Sequence, residues 1–274
     1  MKTASVAVFF LAMAAAFVVG TACQSAGTSQ TVEKPGTLLP AAEWAKTRGL
    51  QVNETDANGQ TLAHFAAAEG RVDVLEWLKS QDVDVDAADH HGETPMLTAV
   101  LSGRFDAMKW LREHGADVNV EDTYGKTPMR MAAVRGRIDI MMWLKEQGAD
   151  VHATTGGSTP MSSAAAYGQL GVMKWLKEQG VDVHHAKPGM TLMHVTHNID
   201  VMMWLEEQGV EVNARDSDGW TPMFYAAAAG EIECMAWLRE HDADVNAKDN
   251  EGRTPLSVAG KRAKQWLLAN GARE

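Results

Sequence analysis

Two cysteines in 274 residues, Cys23 and Cys234, are too few for a disulfide framework or a four-cysteine zinc site. Basic charge is also short: 25 Lys and Arg stand against 36 Asp and Glu, the formal charge is −11, and no run of five cations occurs. Binding a nucleic acid means neutralising a row of phosphates, so that class of partner is not expected. No apolar run reaches the roughly 20 residues that a membrane-spanning helix needs. Glycine-rich phosphate loops, His-Glu-x-x-His and Gly-x-Ser-x-Gly are missing as well. Without converging groups of this kind, no catalytic residue, no cofactor and no resident metal is expected. What the chain does have is 45% hydrophobic residues, enough for a real core and incompatible with disorder or a collagen-like repeat.

The longest apolar run, Ala4 to Val19, follows Lys2 and ends in Gly20-Thr21-Ala22, so residues 1–22 read as an export signal peptide. Cys23 directly after Ala22 resembles the bacterial lipoprotein signal, in which cleavage leaves a cysteine at the new N-terminus to carry lipid. Gly20 departs from the larger aliphatic residue usual there, and Gly-x-Ala would equally satisfy the ordinary signal peptidase at the same bond. Either enzyme leaves a mature chain beginning at Cys23. The expectation is an exported, periplasmic protein anchored to the membrane by lipid on Cys23, with a soluble secreted product as the alternative. Residues 23–37 turn to Ser, Thr, Gly and Gln and read as a flexible spacer, with the folded domain at 38–274.

Tryptophan shows how that domain is built. Eight of nine fall at Trp44, Trp77, Trp110, Trp143, Trp175, Trp204, Trp237 and Trp266, a period close to 33 residues, and Trp220 alone is out of step. Units this small cannot bury their own apolar face, so a solenoid completed by neighbours is expected in place of two globular domains. Thr94-Pro95, Thr127-Pro128, Thr159-Pro160, Thr221-Pro222 and Thr254-Pro255 open a first helix, since proline fits the first turn where an N–H would be unpaired. Gly70, Gly103, Gly136, Gly168 and Gly230 close it, and a second helix such as Val74-Leu75-Glu76-Trp77-Leu78-Lys79 follows.

These units resemble the ankyrin repeat, with its Asp-x-x-Gly-x-Thr-Pro, Ala-Ala-x-x-Gly and Gly-Ala-Asp-Val-Asn signatures, over roughly Leu38 to Ala272. The resemblance implies an all-α solenoid of helix-turn-helix units with short β-hairpin loops, about six repeats with a half unit at each end. Departures are expected to matter. The motif histidine stands at His64 and His194 but is Leu97, Arg130, Ser162, Phe224 and Ser257 elsewhere, which removes its hydrogen bond from those units. Met96, Met129, Met161 and Met223 replace a usual leucine, and Met141, Met142, Met173, Met202, Met203 and Met235 fall in second helices; all are read as core packing. The tryptophan ladder is read as packing between repeats. Cys234, aligned with Val74 and Ile140, is read as a buried inert thiol. From hairpin glycine to ladder tryptophan the chain loses three residues between Gly189 and Trp204, so the first helix there is expected to be short.

In ankyrin proteins partners dock on the hairpin tips and the exposed side of the first helices, which line a concave groove. Carried over unit by unit, this implies a protein-binding track through His90, His91, Tyr124, Lys126, Arg135, Tyr167, Asp218 and Trp220, with Tyr124, Arg135, Tyr167 and Trp220 as anchors because interface energy concentrates in such residues. The function expected is a non-enzymatic protein-binding scaffold in the cell envelope, acting as a monomer and meeting the membrane only through its N-terminus. Two alternatives stand beside it. One is an inhibitor or immunity-type protein whose acidic groove neutralises a basic toxin or hydrolase. The other is metal or redox buffering through methionines and the loop histidines His152, His184 and His185, with His194 and His197 nearby.

Overall fold

The computed structural model describes residues 39–187 and 189–273. The expected signal peptide, Cys23 and the spacer through residue 37 lie outside the described residues. A half unit opens the stack with α1 (Ala41–Thr47). Units 1 to 4 follow as α2 (Leu62–Glu69) with α3 (Val72–Ser80), α4 (Pro95–Leu101) with α5 (Phe105–Glu113), α6 (Pro128–Val134) with α7 (Ile138–Glu146), and α8 (Pro160–Ala166) with α9 (Leu170–Glu178). Unit 5 has a hairpin of β1 (His185–Lys187) and β2 (Met190–Thr191), a 3-10 turn over Leu192–His194, and α10 (Ile199–Glu207). Unit 6 is α11 (Pro222–Ala229) with α12 (Ile232–Glu240), and α13 (Pro255–Val258) with α14 (Lys261–Ala269) closes the stack.

Each helix is specified at its ends. The capping threonines are extended and proline follows at the first helical position, as at Thr159, whose Oγ1 accepts from Ser162 N at 3.0 Å. Second helices carry Asp73, Asp106 or Asp139 in the first turn and Lys79, Arg112 or Lys145 in the last, matching the helix dipole. Helices of seven to nine residues do not persist alone in water. Stacking supplies what they lack: first helices pack on neighbouring first helices, second on second, and one continuous core runs from Trp44 to Ala272.

The loops expected as β-hairpins pair as strands only at β1 and β2, with single bridges at Thr55–Thr61 and Thr155–Ser158, among the described residues. Elsewhere an aspartate shapes the tip. Asp89 Oδ1 accepts from His91 N at 2.8 Å and Glu93 N at 2.9 Å, and Asp56, Asp122, Asp216 and Asp249 repeat the arrangement. Adjacent tips then bond to one another, His90 N to Asn58 O at 3.0 Å and Thr123 N to His91 O at 2.9 Å.

The motif histidines bind their own turn and the next. Thr61 N donates to His64 Nδ1 at 3.1 Å, which leaves Nε2 to donate to Glu93 O at 2.8 Å; His194 does the same with Thr191 N and Trp220 O, both at 3.1 Å. The expected loss of this bond elsewhere is corrected in unit 3. Arg130 takes the place of histidine and its Nη1 donates to Gly125 O and, at 3.0 Å, to Thr155 O of the next tip.

Packing of the ladder is mixed. Trp44, Trp110, Trp204 and Trp237 are buried, the second and fourth stacked on His114 and His241, whereas Trp77, Trp143, Trp175 and Trp266 pack on the core with one edge in solvent. Of the methionines read as core, Met142 and Met203 are a correction at 50% and 47% exposure, because they precede the ladder tryptophan on the outward side of the second helix. The short first helix of unit 5 is present as expected, reduced to the 3-10 turn. His197 stands where other units have their closing glycine, and the thiol of Cys234 donates to its carbonyl at 3.3 Å. Burial, and then Glu231 and Glu233, push that thiol up to about 11, so it stays protonated and unreactive.

One loop position departs from its neighbours in a way that predicts a stability gain. Asn213 donates its Nδ2 to Asp242 O at 2.8 Å and accepts Asp244 N at 3.0 Å, and Asn246 repeats this with Gly271 and Arg273. In unit 1 the same position is Asp86, which accepts from the backbone of Asp117 but whose Oδ1 is buried without a partner. Burial first, and then the carboxylates of Asp84 and Asp117, raise its carboxyl, with His64 opposing. A raised acid penalises the folded state when it ionises; the penalty is absent below the unfolded value of about 3.9 and complete above the folded one. Asp86→Asn is therefore expected to stabilise the protein by about 1 kcal/mol at neutral pH. In urea titrations the gain should shrink on acidification, and an equal or lower midpoint at pH 7 would refute the assignment.

Candidate functional site

The surface formed by tips and first helices is organised around tip 3. Tyr124 is 62% exposed, held at its N–H by Asp122 Oδ1 at 2.9 Å. Its ring lies 5.7 Å from that of His91, the hydroxyl is 3.4 Å from His91 Nδ1, and Lys126 Nζ sits 5.3 Å from the ring centre. Lys126 also approaches Asp122 Oδ2 at 3.3 Å, an ion pair without an aligned hydrogen bond, since that oxygen is buried with none. His90 is exposed on the adjoining turn.

Arg130 lies beneath this turn. It donates to Gly125 O, to Thr155 O and Oγ1, and through Nε to Ser163 Oγ at 3.3 Å, so its hydrogen bonds all go to neutral oxygens. Burial pulls the guanidinium below its ordinary value, against the opposing pull of Asp122, Glu121 and Tyr167. Arg135 and Tyr167 end α6 and α8 at equivalent positions of neighbouring units, both exposed, Tyr167 at 44%. Thus His90, His91, Tyr124 and Lys126 lie on tips 2 and 3, and Arg135 and Tyr167 at the ends of the first helices of units 3 and 4. Arg130 was missed as a site residue; the signal was its place at the histidine position of a unit whose tip carries Tyr124 and Lys126.

Trp220 is not part of this face. The ring expected as an exposed anchor is 6% exposed, stacked on Phe224 with ring centres 5.3 Å apart, edge-on to Tyr225, and its Nε1 donates to Asp249 Oδ2 at 3.1 Å. The tip of the following unit covers it. Burial alone would raise Asp249, but Arg253 and two backbone N–H groups outweigh it and hold the carboxyl below its usual range. Tyr225 completes the cluster by donating to Asp216 Oδ2 at 2.7 Å. Asp218 is exposed on tip 6, well along the stack from the Tyr124 cluster.

Among the described side chains the histidines do not converge. His152 and His184 are exposed on separate loops, His184 Nδ1 is 2.9 Å from Asp182, and His194 uses both ring nitrogens within the fold. Among the described residues no group of three or more His, Cys, Asp or Glu is placed to hold a metal ion. Two open clefts lie on the other side of the units, between second helices: one of 470 Å³ beside Lys79, Trp110 and His114, one of 340 Å³ beside Lys174, Lys177 and Trp204. Their lysines, glutamates and tryptophan edges do not focus on one point as a small-molecule site would.

A family model for ankyrin repeats, in three copies, matches residues 30–122, 114–187 and 192–273, most of the chain. This chain belongs to the ankyrin repeat family. Among solved structures the human ASB11 ankyrin repeat domain is similar at 26% identity and a TM-score of 0.61, covering 78% of this chain and 100% of that domain. The ankyrin repeat domain of Bcl-3, a member of the IkappaB protein family, shares the fold at 21% identity and a TM-score of 0.54, covering 77% of this chain and 99% of that one. Comparison with curated proteins gives no match. Ankyrin repeats are generally scaffolds for protein–protein interaction and typically non-enzymatic. Two of the matched ankyrin segments meet at unit 5, one ending at residue 187 and the next beginning at 192.

Proposed function

We propose that this ankyrin-repeat chain is a non-enzymatic adaptor of a bacterial cell envelope, tethered by lipid on Cys23 and acting as a monomer. Its folded domain holds a protein partner on the tip and first-helix face of units 2 to 4. The observation that carries this is the pair of exposed tyrosines, Tyr124 and Tyr167, beside the exposed Arg135 on one face of a rigid stack. Tyrosine and arginine are the side chains in which interface energy concentrates, and here they stand exposed on neighbouring units. The export reading rests on residues 1–22 alone. The alternatives draw less support: an acidic groove for a basic toxin does not describe a face carrying Lys126, Arg130 and Arg135, and a metal buffer needs histidines that meet.

The test is an envelope pull-down with Gln24–Glu274 as bait against the same chain carrying Tyr124→Ala and Tyr167→Ala. Both side chains are exposed, so the pair should leave the melting curve in place while reducing the retained partner by about tenfold or more. Equal retention by the two baits would remove the face from consideration. Fractionation of cells making Cys23→Ser tests the tether separately, with release from the membrane pellet as the expected result.

A further inference from the structure

The net charge of −11 is unevenly placed. No Asp or Glu occurs from Thr123 to Ile138, a stretch that holds Lys126, Arg130, Arg135 and Arg137, and none occurs from Val151 to Lys177. Between them stand Asp139, engaged by Arg137 at 2.7 Å, and Glu146 and Asp150, at the end of α7 and in the loop after it. On the tip and first-helix face of units 3 and 4 the carboxylates are Asp122, which is buried and set against Lys126, and Glu121, which is exposed and pulls on Arg130, so Lys126, Arg130 and Arg135 outnumber them by one. Arg130 bonds neutral oxygens alone, and Arg135 has no ion-pair partner among the described residues. An excess of positive charge therefore lies among exposed aromatic rings, over a floor that includes the half-buried Val134 and Ala166.

We infer that this patch is built for an acidic, partly apolar segment of a partner protein, with acidic side chains set against Arg130 and against Arg135 and apolar side chains against Tyr124 and Tyr167. The inference deepens the adaptor reading and rests on it. Charge complementarity selects the sign: an acidic segment gains from cations that have no strong internal partner, whereas a basic segment would bring like charges together. The choice of protein over nucleic acid follows from the spacing. Single cations interleaved with rings and aliphatic side chains suit mixed side chains, and a run of phosphates wants a continuous basic track. Tyr124 is braced by His91 and Lys126, and Arg130 is fixed by two successive tips, so the patch loses little freedom on binding.

The experiment selects short random displayed peptides on the full chain and measures the enriched sequences by fluorescence anisotropy. Acid-enriched sequences are expected, weakened by salt, bound about tenfold more weakly by Arg135→Glu and nearly as well by Arg135→Lys. Enrichment of neutral or basic peptides that Tyr124→Ala with Tyr167→Ala abolishes would overturn the acidic assignment while leaving the adaptor reading standing. Acidic peptides indifferent to Arg135→Glu would overturn it too, as would competition by oligothymidylate at similar concentrations, which would point to a phosphate polymer. If no sequence is enriched, both the patch and the adaptor reading fall.

Discussion

Trp220→Ala is expected to cost about 3–5 kcal/mol, the range for removing a large aromatic from a packed core. The ring stacks on Phe224, meets Tyr225 edge-on and donates to Asp249, so truncation leaves a cavity and takes a donor from a buried carboxylate. The damage should be local in origin. In a repeat stack each unit is stabilised by its neighbours, so unit 6 and the closing pair α13 and α14 are expected to unfold ahead of units 1 to 4 and to split a single denaturation curve into two steps. Urea titration followed by circular dichroism reads both effects. Trp220→Phe keeps an aromatic ring on Phe224 while losing the indole hydrogen bond and part of the ring volume, and since Arg253 still holds Asp249 at 2.7 Å the expected cost is smaller, about 1–2 kcal/mol. A midpoint unmoved by the alanine variant would mean that the ring carries no core packing. The same result warns against using Trp220→Ala as a binding variant, because lost binding would follow from lost structure.

Gly125→Ala is expected to be the most damaging small substitution on the partner face, on the order of 3 kcal/mol. Gly125 has φ +73°, where a side chain costs about 1–2 kcal/mol by itself. A Cβ there would also stand 2.7 Å from both Cα and N of Gly156, backbone atoms of the next tip that cannot rotate away. Separating the tips would break the 2.7 Å bond from Thr155 Oγ1 to Gly125 O and disturb Arg130, which is held by the same carbonyl. Gly115→Ala is the control: φ is +98° but no atom lies within 4 Å of the added carbon, so only the conformational cost applies. Equal melting temperatures for the two variants would show that the tip contact contributes nothing. A Gly125→Ala protein that melts several degrees lower would also lose the peptides that depend on Arg130.

Much of the architecture was legible from residue order. The Thr-Pro dipeptides sit at helix starts, the glycines at Gly70, Gly103, Gly136, Gly168 and Gly230 take the left-handed conformation that closes the first helices, and the missing turn before His197 is missing in space. These are local signals: a proline or glycine imposes its φ wherever it stands, and a period of 33 residues leaves few ways to bury alternate faces. The exposure of Tyr124 and Tyr167 was legible for the same reason, since a tip and a helix end project from any such unit.

What the sequence by itself determined is therefore the solenoid, its unit boundaries and the identity of its ankyrin family. Tertiary structure alone decided which side chains are available on it. Trp220 looks exposed when its own unit is read, and it is buried because Asp249 and Arg253, 29 and 33 residues later, close over it. Arg130 looks like a lost histidine, and it is a half-buried cation because Thr155, 25 residues on, supplies the carbonyl it binds. Asp86 looks like any loop aspartate until the neighbouring unit withholds a donor from its Oδ1. In a stack every position is completed by a residue about one repeat away, and that pairing depends on contact across the repeat interface, which no local propensity encodes.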